Sequence, residues 1–531
     1  MRKLVIFVSL ILLMISISAV CAEEINSTEK INIVEDDNLT NSITVSGNSF
    51  DDIQKTIDKS NKHDIIELNG TYTPNNKVIV IKKPITIQGS ENGAILNANN
   101  LDNVFEIEAD NVILKGLTII NAKYHAVSDV SFDGKQDLTI INCTFKNNKQ
   151  FSTVEYVNYD NMGTLTLINS TFDRNTGGAI EFMGKQLTVD KCRFINNNVD
   201  PDEMKGGAIS AYASNIMISK SNFENNYAYN GGAIYSCNAN IRISECNFTS
   251  NSARNHGGAI YAEGEMESIK NENIPYTLTI LNTTFNSNSA KNIGKAVYSI
   301  VYNVDIENSD FKSSQDVYVK IGSLKNIDNN LSDVQNINSI NATLKAKHTS
   351  LMHDSYDELL VYANTENIPF LKLKIKLVLY TGKTTKTYYK NLLKEEFENV
   401  QFSLSKLPVG KYKVKIYLES KYFKAKPLTT KITVKKAKTT VKAPKVTAKY
   451  KKSKKFSVKV KHKITGKSVK NINLKIKVYT GKKSKTFTVK TNKKGVAKIS
   501  TKKLRRGAHK VVITSKDKNY IVNKKSSIKI N

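Results

Sequence analysis

Residues that could do chemistry are sparse in this chain of 531 residues, and their spacing limits what they could do. Asp129, Asp133 and Asp137 recur every four residues in a polar stretch. Glycan hydrolysis needs two carboxyl groups flanking one bond. Ca²⁺-assisted cleavage needs a basic catalyst beside an acid cluster. The three aspartates are not repeated elsewhere, and the stretch reads as a loop rather than a site. Asp173-Arg174 reads as a local pair in a turn, and Glu181 points outward. The seven histidines are scattered, and His256 beside Gly257 reads as a turn residue. No Cys-x-x-Cys or zinc-type Cys/His cluster occurs. No catalytic residue, metal site or cofactor is therefore assigned.

One column is a stronger candidate. The residue after each Ala-Ile pair is Glu181, Ser210, Tyr235 and Tyr261, then Tyr298 after Ala296-Val297. On neighbouring strands in register these stand about 4.8 Å apart. Tyr235, Tyr261 and Tyr298 could form a platform for sugar rings with hydroxyls at its edge. The same tyrosines could instead serve only to pair across strands.

A repeat must place these residues. Ile216, Ile218, Ser221, Phe223 and Asn226 are followed by Gly231-Gly232-Ala233-Ile234, and the phrase restarts at Ile241, Ile243, Cys246, Phe248 and Asn251. Further copies begin at Leu138, Leu165, Leu187 and Leu278, and the pattern fades at Val304. Apolar alternation holds, slips by one residue and resumes, as two short strands joined by a bend require. Phe145, Phe172, Phe194, Phe223, Phe248 and Phe285 would stack on one another. Cys143, Ser170, Cys192, Ser221, Cys246, Thr283 and Ser309 would form a column of small inward groups, with the cysteines as free thiols. The Asn three residues after each Phe suits a turn, because Asn tolerates left-handed backbone. A third strand follows the paired glycines, which include Gly178, Gly207, Gly232 and Gly258 and allow close backbone approach.

Three short strands per repeat describe a parallel β-helix, with right-handed coils as for parallel crossovers generally. A β-propeller needs longer repeats. Before the array, Ser49 can cap a short helix in which Phe50, Ile53 and Ile57 share a face, closing the open end of the stack.

The charge is divided unevenly. From Lys436 to Asn531 there are 33 Lys and Arg against one acid, Asp517. From Met1 to Lys435 the balance is 46 basic to 47 acidic residues. Such asymmetry points to an anionic partner for the basic end. Arg2 and Lys3 precede an apolar run to Val20, which reads as a secretory signal cleaved after Ala22; an uncleaved anchor is the alternative. No other apolar stretch is long enough to span a membrane, so none is expected in the mature chain. The basic end would also attract nucleic acid, but export and the lack of a base-reading motif argue against it.

Residues 373–388 resemble 474–487, and the Gly410 turn resembles that at Gly507. Two Ig-like β-sandwich modules follow from these repeats. The fold class is thus all-β: a right-handed parallel β-helix followed by two Ig-like β-sandwich modules. The expected boundaries are 1–22 signal peptide, 23–44 flexible segment, 45–322 β-helix, 323–345 linker, 346–436 Ig-like module and 437–531 basic Ig-like module.

The doubled Gly-Gly-Ala-Ile and Phe-x-x-Asn motifs resemble the repeat of the polymorphic outer membrane proteins of chlamydiae and of adhesin-like surface proteins of methanogenic archaea. Residues 50–116 also resemble the opening of pectate-lyase-like β-helices. The resemblance covers roughly residues 45–320 and implies a secreted, surface-displayed β-helix. The chlamydial proteins end in a membrane β-barrel, whereas this C-terminal part reads as Ig-like modules, which fits the archaeal group better. The expected function is a monomeric, non-catalytic adhesin at the cell surface or wall. Its β-helix would bind a surface glycan, a partner or other cells, and its basic module an anionic cell-wall polymer. A secreted polysaccharide lyase or hydrolase is the alternative. Asn26, Asn38, Asn69, Asn142, Asn169, Asn247, Asn282, Asn330 and Asn341 each precede a Ser/Thr at glycosylation spacing.

Overall fold

The computed structural model describes residues 41–531 except 133, 200–205, 266–273, 332, 338, 366–371 and 394–398. The expected signal peptide and most of the segment 23–44 lie outside the described residues. The chain divides into two compact units, 1–339 and 340–531.

The first unit is a parallel β-helix. Ile216 pairs with Ile241, Ile218 with Ile243 and Phe223 with Phe248, all in parallel register. Among the described residues, the Leu/Ile and Phe strands of every coil belong to one 20-stranded sheet. The strands after the glycines form a separate, 11-stranded lateral sheet.

The bend between the Leu/Ile and Phe strands is built as its spacing requires. Asn142, Asn169, Lys191, Lys220, Glu245 and Asn282 adopt left-handed backbone, with φ between 48° and 54°. The next residue points inward. Its amide donates to the side chain one coil on: Cys143 to Ser170 Oγ (3.1 Å), Cys192 to Ser221 Oγ (3.0 Å), Ser221 to Cys246 Sγ (3.5 Å). Any small acceptor satisfies a buried amide here, which is why Cys, Ser and Thr interchange along the column. Cys143, Cys192 and Cys246 are free, and burial pushes each thiol up to about 12.

Phe145 to Phe285 form one continuous stack, with ring centroids 4.6–5.0 Å apart and planes within 7°. The asparagines do more than the turn role expected of them. The left-handed residue is the one before each, such as Asn196 and Asn225. Asn197 and Asn226 themselves are buried. The Asn197 amide and Nδ2 both donate to Asn226 Oδ1, each at 3.0 Å, and Asn226 repeats this to Asn251. The remaining Nδ2 proton of Asn226 goes back to the Phe194 carbonyl (3.0 Å). Every polar group of the buried column is thereby paired, as a dry interior demands.

The paired glycines are required by close approach. A Cβ on Gly232 would lie 2.3 Å from the Gly258 carbonyl oxygen. At the start, the helix Phe50–Lys59 is capped by Ser49, and Phe50, Ile53 and Ile57 join the core. Ser42–Thr44, expected to lie in the flexible segment, is already a strand, pairing with residues 65–67.

The expected linker is also corrected. Leu324–Ile327 and Asp333–Ile337 form the last coil of the β-helix, and Ile340–Lys347 is already a strand of the sandwich. The polar composition has a structural cause. Asn329 Oδ1 and Asn330 Oδ1 accept from the amides of Ser309 and Phe311, both at 2.6 Å, closing the two inward columns.

The second unit holds two sandwiches of identical strand order, each with a four-stranded and a five-stranded sheet. In the strand Asn473–Thr480, Leu474, Ile476 and Val478 are buried while Lys475 and Lys477 are exposed, the pattern of a sheet with one wet face.

Candidate functional site

The outward residues of the lateral sheet fall into two halves. Register places Glu106, Ser128, Glu155, Glu181, Ser210, Tyr235, Tyr261, Tyr298 and Tyr318 in one column.

The tyrosine half brings Tyr235, Tyr261 and Tyr298 together as the sequence indicates, and Tyr318 extends the row. Successive rings stack 5.1–5.7 Å apart with planes 5° from parallel. Their faces cover one another, leaving each residue only 3–9% exposed. Tyr235 and Tyr261 both donate to the Glu263 carboxylate, Tyr261 at 2.9 Å. His256 stacks on Tyr298 at 4.6 Å. Burial raises all these hydroxyls, that of Tyr298 to about 12. The column is therefore not the open platform expected. Self-stacking takes up the ring faces that a sugar would need.

The acidic half is half-buried rather than buried and has more chemistry. Three neighbouring strands carry it: His125–Ser131, Val154–Asn158 and Ile180–Met183. Glu155 accepts from Ser128 Oγ at 2.9 Å and lies 3.5 Å from His125 Nε2. His125 Nδ1 is 2.7 Å from the Ser152 carbonyl, which can only accept. Nδ1 therefore donates to that carbonyl, which leaves Nε2 on the Glu155 side. Glu181, in register beside Glu155, accepts from Ser152 Oγ at 3.0 Å.

Aromatic pairs flank these carboxylates at both strand ends. At the entry end, Phe151 stacks on His125 (5.7 Å) and meets Tyr124 edge-on (5.3 Å), with Lys123 over the Tyr124 ring. At the exit end, Phe132 is 74% exposed and stacks on Tyr159 at 4.9 Å, beside exposed Val130 and Met162. Seven residues of strand separate the ends, about 20 Å at strand rise. Such a strip can stack the apolar faces of pyranose rings on its aromatics and accept sugar hydroxyls on its carboxylates.

Of the other acids, Asp110, Asp129 and Asp137 lie near one another, around the Tyr156 hydroxyl. Asp129 points into the coil and is 1% exposed. Burial, then the nearby Asp110 charge, pushes its carboxyl up to about 8. Asp137 accepts from the Thr164 amide (3.0 Å) and hydroxyl (2.8 Å), pinning adjacent coils. Asp133 lies outside the described residues. Asp173 and Arg174 form the expected local pair at 3.5 Å. Among the described residues, no group of three His, Cys, Asp or Glu could hold a metal ion. No helix of the described residues is long and apolar enough to cross a membrane.

Residues 105–274 match the family model for a right-handed beta helix region, in line with the hand expected from sequence. The chain has no match among curated proteins. Solved structures similar to it include the Yersinia pseudotuberculosis adhesin InvE, at 14% identity and TM-score 0.21, covering 35% of this chain and 58% of that one. Another is a two-domain fibronectin type III segment of chicken tenascin, at 15% identity and TM-score 0.23, covering 35% of this chain and 97% of that one. A PL6 alginate lyase in complex with a trisaccharide is similar at 12% identity and TM-score 0.23, covering 51% and 60%. The chain spans little over half the length of the Yersinia adhesin. Likenesses at this level carry no argument about function.

Proposed function

We propose that this protein is a non-catalytic, adhesin-like surface protein whose β-helix binds a glycan along the acidic, aromatic-flanked strip of its lateral sheet. The observation that carries this reading is exposed Phe132 stacked on half-buried Tyr159, at the end of strands that present Glu155 and Glu181. An exposed ring held in place by a second aromatic beside hydroxyl acceptors suits a sugar better than solvent. The basic C-terminal sandwich, with one acid among residues 436–531, holds the molecule to an anionic wall polymer outside the cell. The export signal expected in residues 1–22 supports that setting.

The experiment is a glycan-array screen of the full chain, run beside Phe132→Ala and Tyr159→Ala. Binding by the parent and its loss in both variants is expected; binding indifferent to both changes would remove the strip from the account.

A second reading is glycan cleavage, favoured by one observation: Glu155 and Glu181 are neighbouring carboxylates on paired strands with His125 beside them. Mass spectrometry of the same incubations separates the readings. Products that vanish in Glu155→Gln and Glu181→Gln would establish an enzyme.

A further inference from the structure

The two sandwiches share strand order but differ on the outer face of their five-stranded sheets. In the first, Lys376 lies between Tyr389 and Tyr417 across three strands. Its Nζ is 5.8 Å and 5.7 Å from the two ring centroids. Lys415 sits over Tyr417 at 5.1 Å, and Lys413 over Tyr380 at 5.5 Å. Tyr389 is 52% exposed. In the second sandwich the same row reads Thr488, Lys475, Thr514. The scaffold therefore forms with threonine at both tyrosine positions. Core packing does not call for these rings, which within the sheet meet neighbouring lysines, Lys374 over Tyr389 at 4.7 Å among them.

The charge on this face is only partly balanced. Glu419 pairs with Lys374 (3.2 Å) and Lys376 (3.3 Å). Lys413 and Lys415 have no carboxylate partner among the described residues. The face thus interleaves aromatic rings with ammonium groups that keep their charge for an outside partner. Tyr389 and Tyr417 lie two strand spacings apart, about 10 Å, a distance that two linked pyranose rings span.

We propose that this face binds an acidic polysaccharide with its charge on the sugar ring, a uronate chain. The rings would lie on Tyr389 and Tyr417 and the carboxylates against Lys376, Lys413 and Lys415. A flexible polyanion without rings would gain from the lysines alone. Single-stranded nucleic acid could also combine stacking with charge, but the expected export signal places the chain where polysaccharide is the available polymer. The inference rests on the reading of the C-terminal part as an anionic-polymer anchor. It adds the ligand class and moves the specificity to the first sandwich, leaving bulk charge to the second.

The test uses the full chain and three probes: polygalacturonate, poly-L-glutamate and a single-stranded oligonucleotide. The variant is Tyr389→Thr with Tyr417→Thr, which copies the second sandwich and so keeps a side chain that this sheet accepts. Polygalacturonate binding should weaken about tenfold, as two lost stacking contacts imply, while poly-L-glutamate binding stays unchanged. Lys413→Gln with Lys415→Gln should weaken both polymers. Equal loss on both polymers in the tyrosine variant, or no loss, would overturn the proposal and leave the ionic anchor standing. A tyrosine-dependent preference for the oligonucleotide would replace polysaccharide with nucleic acid. Failure of the parent chain to bind any of the three would overturn the anchor and this inference together.

Discussion

In the β-helix, Phe223 meets Phe248 and Asn226 meets Asn251, each side chain facing its own copy one coil away. In the C-terminal sandwiches Leu474 faces Val489 across an antiparallel pair, and the lysines between the apolar residues face water. The β-helix satisfies itself inside and, over its tyrosine half, outside as well. Its exposed chemistry lies in the coils whose outer column carries carboxylates in place of tyrosines, Glu155 and Glu181. The sandwiches leave a whole sheet face unspent. Repetition stabilises a coil by consuming the side chains that could bind; alternation frees them.

Breaking a buried polar column should cost most. Asn226→Ala strands the Asn197 amide, the Asn197 Nδ2 group and the Phe194 carbonyl. At roughly 1–3 kcal/mol for each buried unpaired group, the loss should be on the order of 3–9 kcal/mol. Urea unfolding followed by hydrogen exchange should show it in the first unit, with the second unmoved. A shared loss in both units would contradict the separation drawn between them.

Phe223→Ala should cost about 3–5 kcal/mol and Ile476→Ala about 2–5 kcal/mol. The two units should differ in where the damage goes. In a one-dimensional stack each repeat touches only its neighbours. Exchange protection should therefore fall mainly in the coils adjoining Phe223, but throughout the second sandwich for Ile476. Uniform loss along the whole β-helix would break the comparison.

Asp129 gives the β-helix a pH dependence of its own. Its folded carboxyl titrates near 8 against about 3.9 unfolded. Between these values the unfolded chain holds fewer protons, so stability falls as pH rises from about 4 to about 8. Asp129→Asn should flatten that fall and stabilise the first unit at pH 8 by a few kcal/mol, at roughly 1.4 kcal/mol per pKa unit. Thermal melts at pH 5 and pH 8 measure it; an unchanged slope would mean the carboxyl is ionised in place.

The smallest effect belongs to the tyrosine stack. Tyr298→Phe keeps the ring and its neighbours, so stability should stay within about 0.5 kcal/mol and glycan binding should not change. A loss of binding would return the tyrosines to the site.

The sequence made the β-helix core legible because a ladder needs the same residue type at the same offset in every coil. Phe, Asn, Gly and the Cys/Ser/Thr column are all written that way. Packing outside the coil is not, so the burial of Tyr235, Tyr261 and Tyr298 did not show. Backbone tolerance alone suits the asparagines to turns, whereas their amide groups set their place. The polar stretch 323–345 resembled a linker because Asn329 and Asn330 close the last coil with side chains instead of apolar contacts. The acidic strip was missed for want of a Gly-Gly marker before His125 and Val154. A signal was present: Leu138 and Leu165 are one coil of 27 residues apart, and the same offset carries Ser128 to Glu155 and Phe132 to Tyr159.

The most direct measurement is calorimetric titration of the full chain with the best glycan from the array, alongside Phe132→Ala/Tyr159→Ala and with product analysis of the titrated sample. The account predicts binding to the parent, at least tenfold weaker binding to the double variant, and intact glycan at the end. Undiminished binding by the variant, or cleaved glycan in the parent sample, would contradict a non-catalytic glycan-binding strip on the lateral sheet.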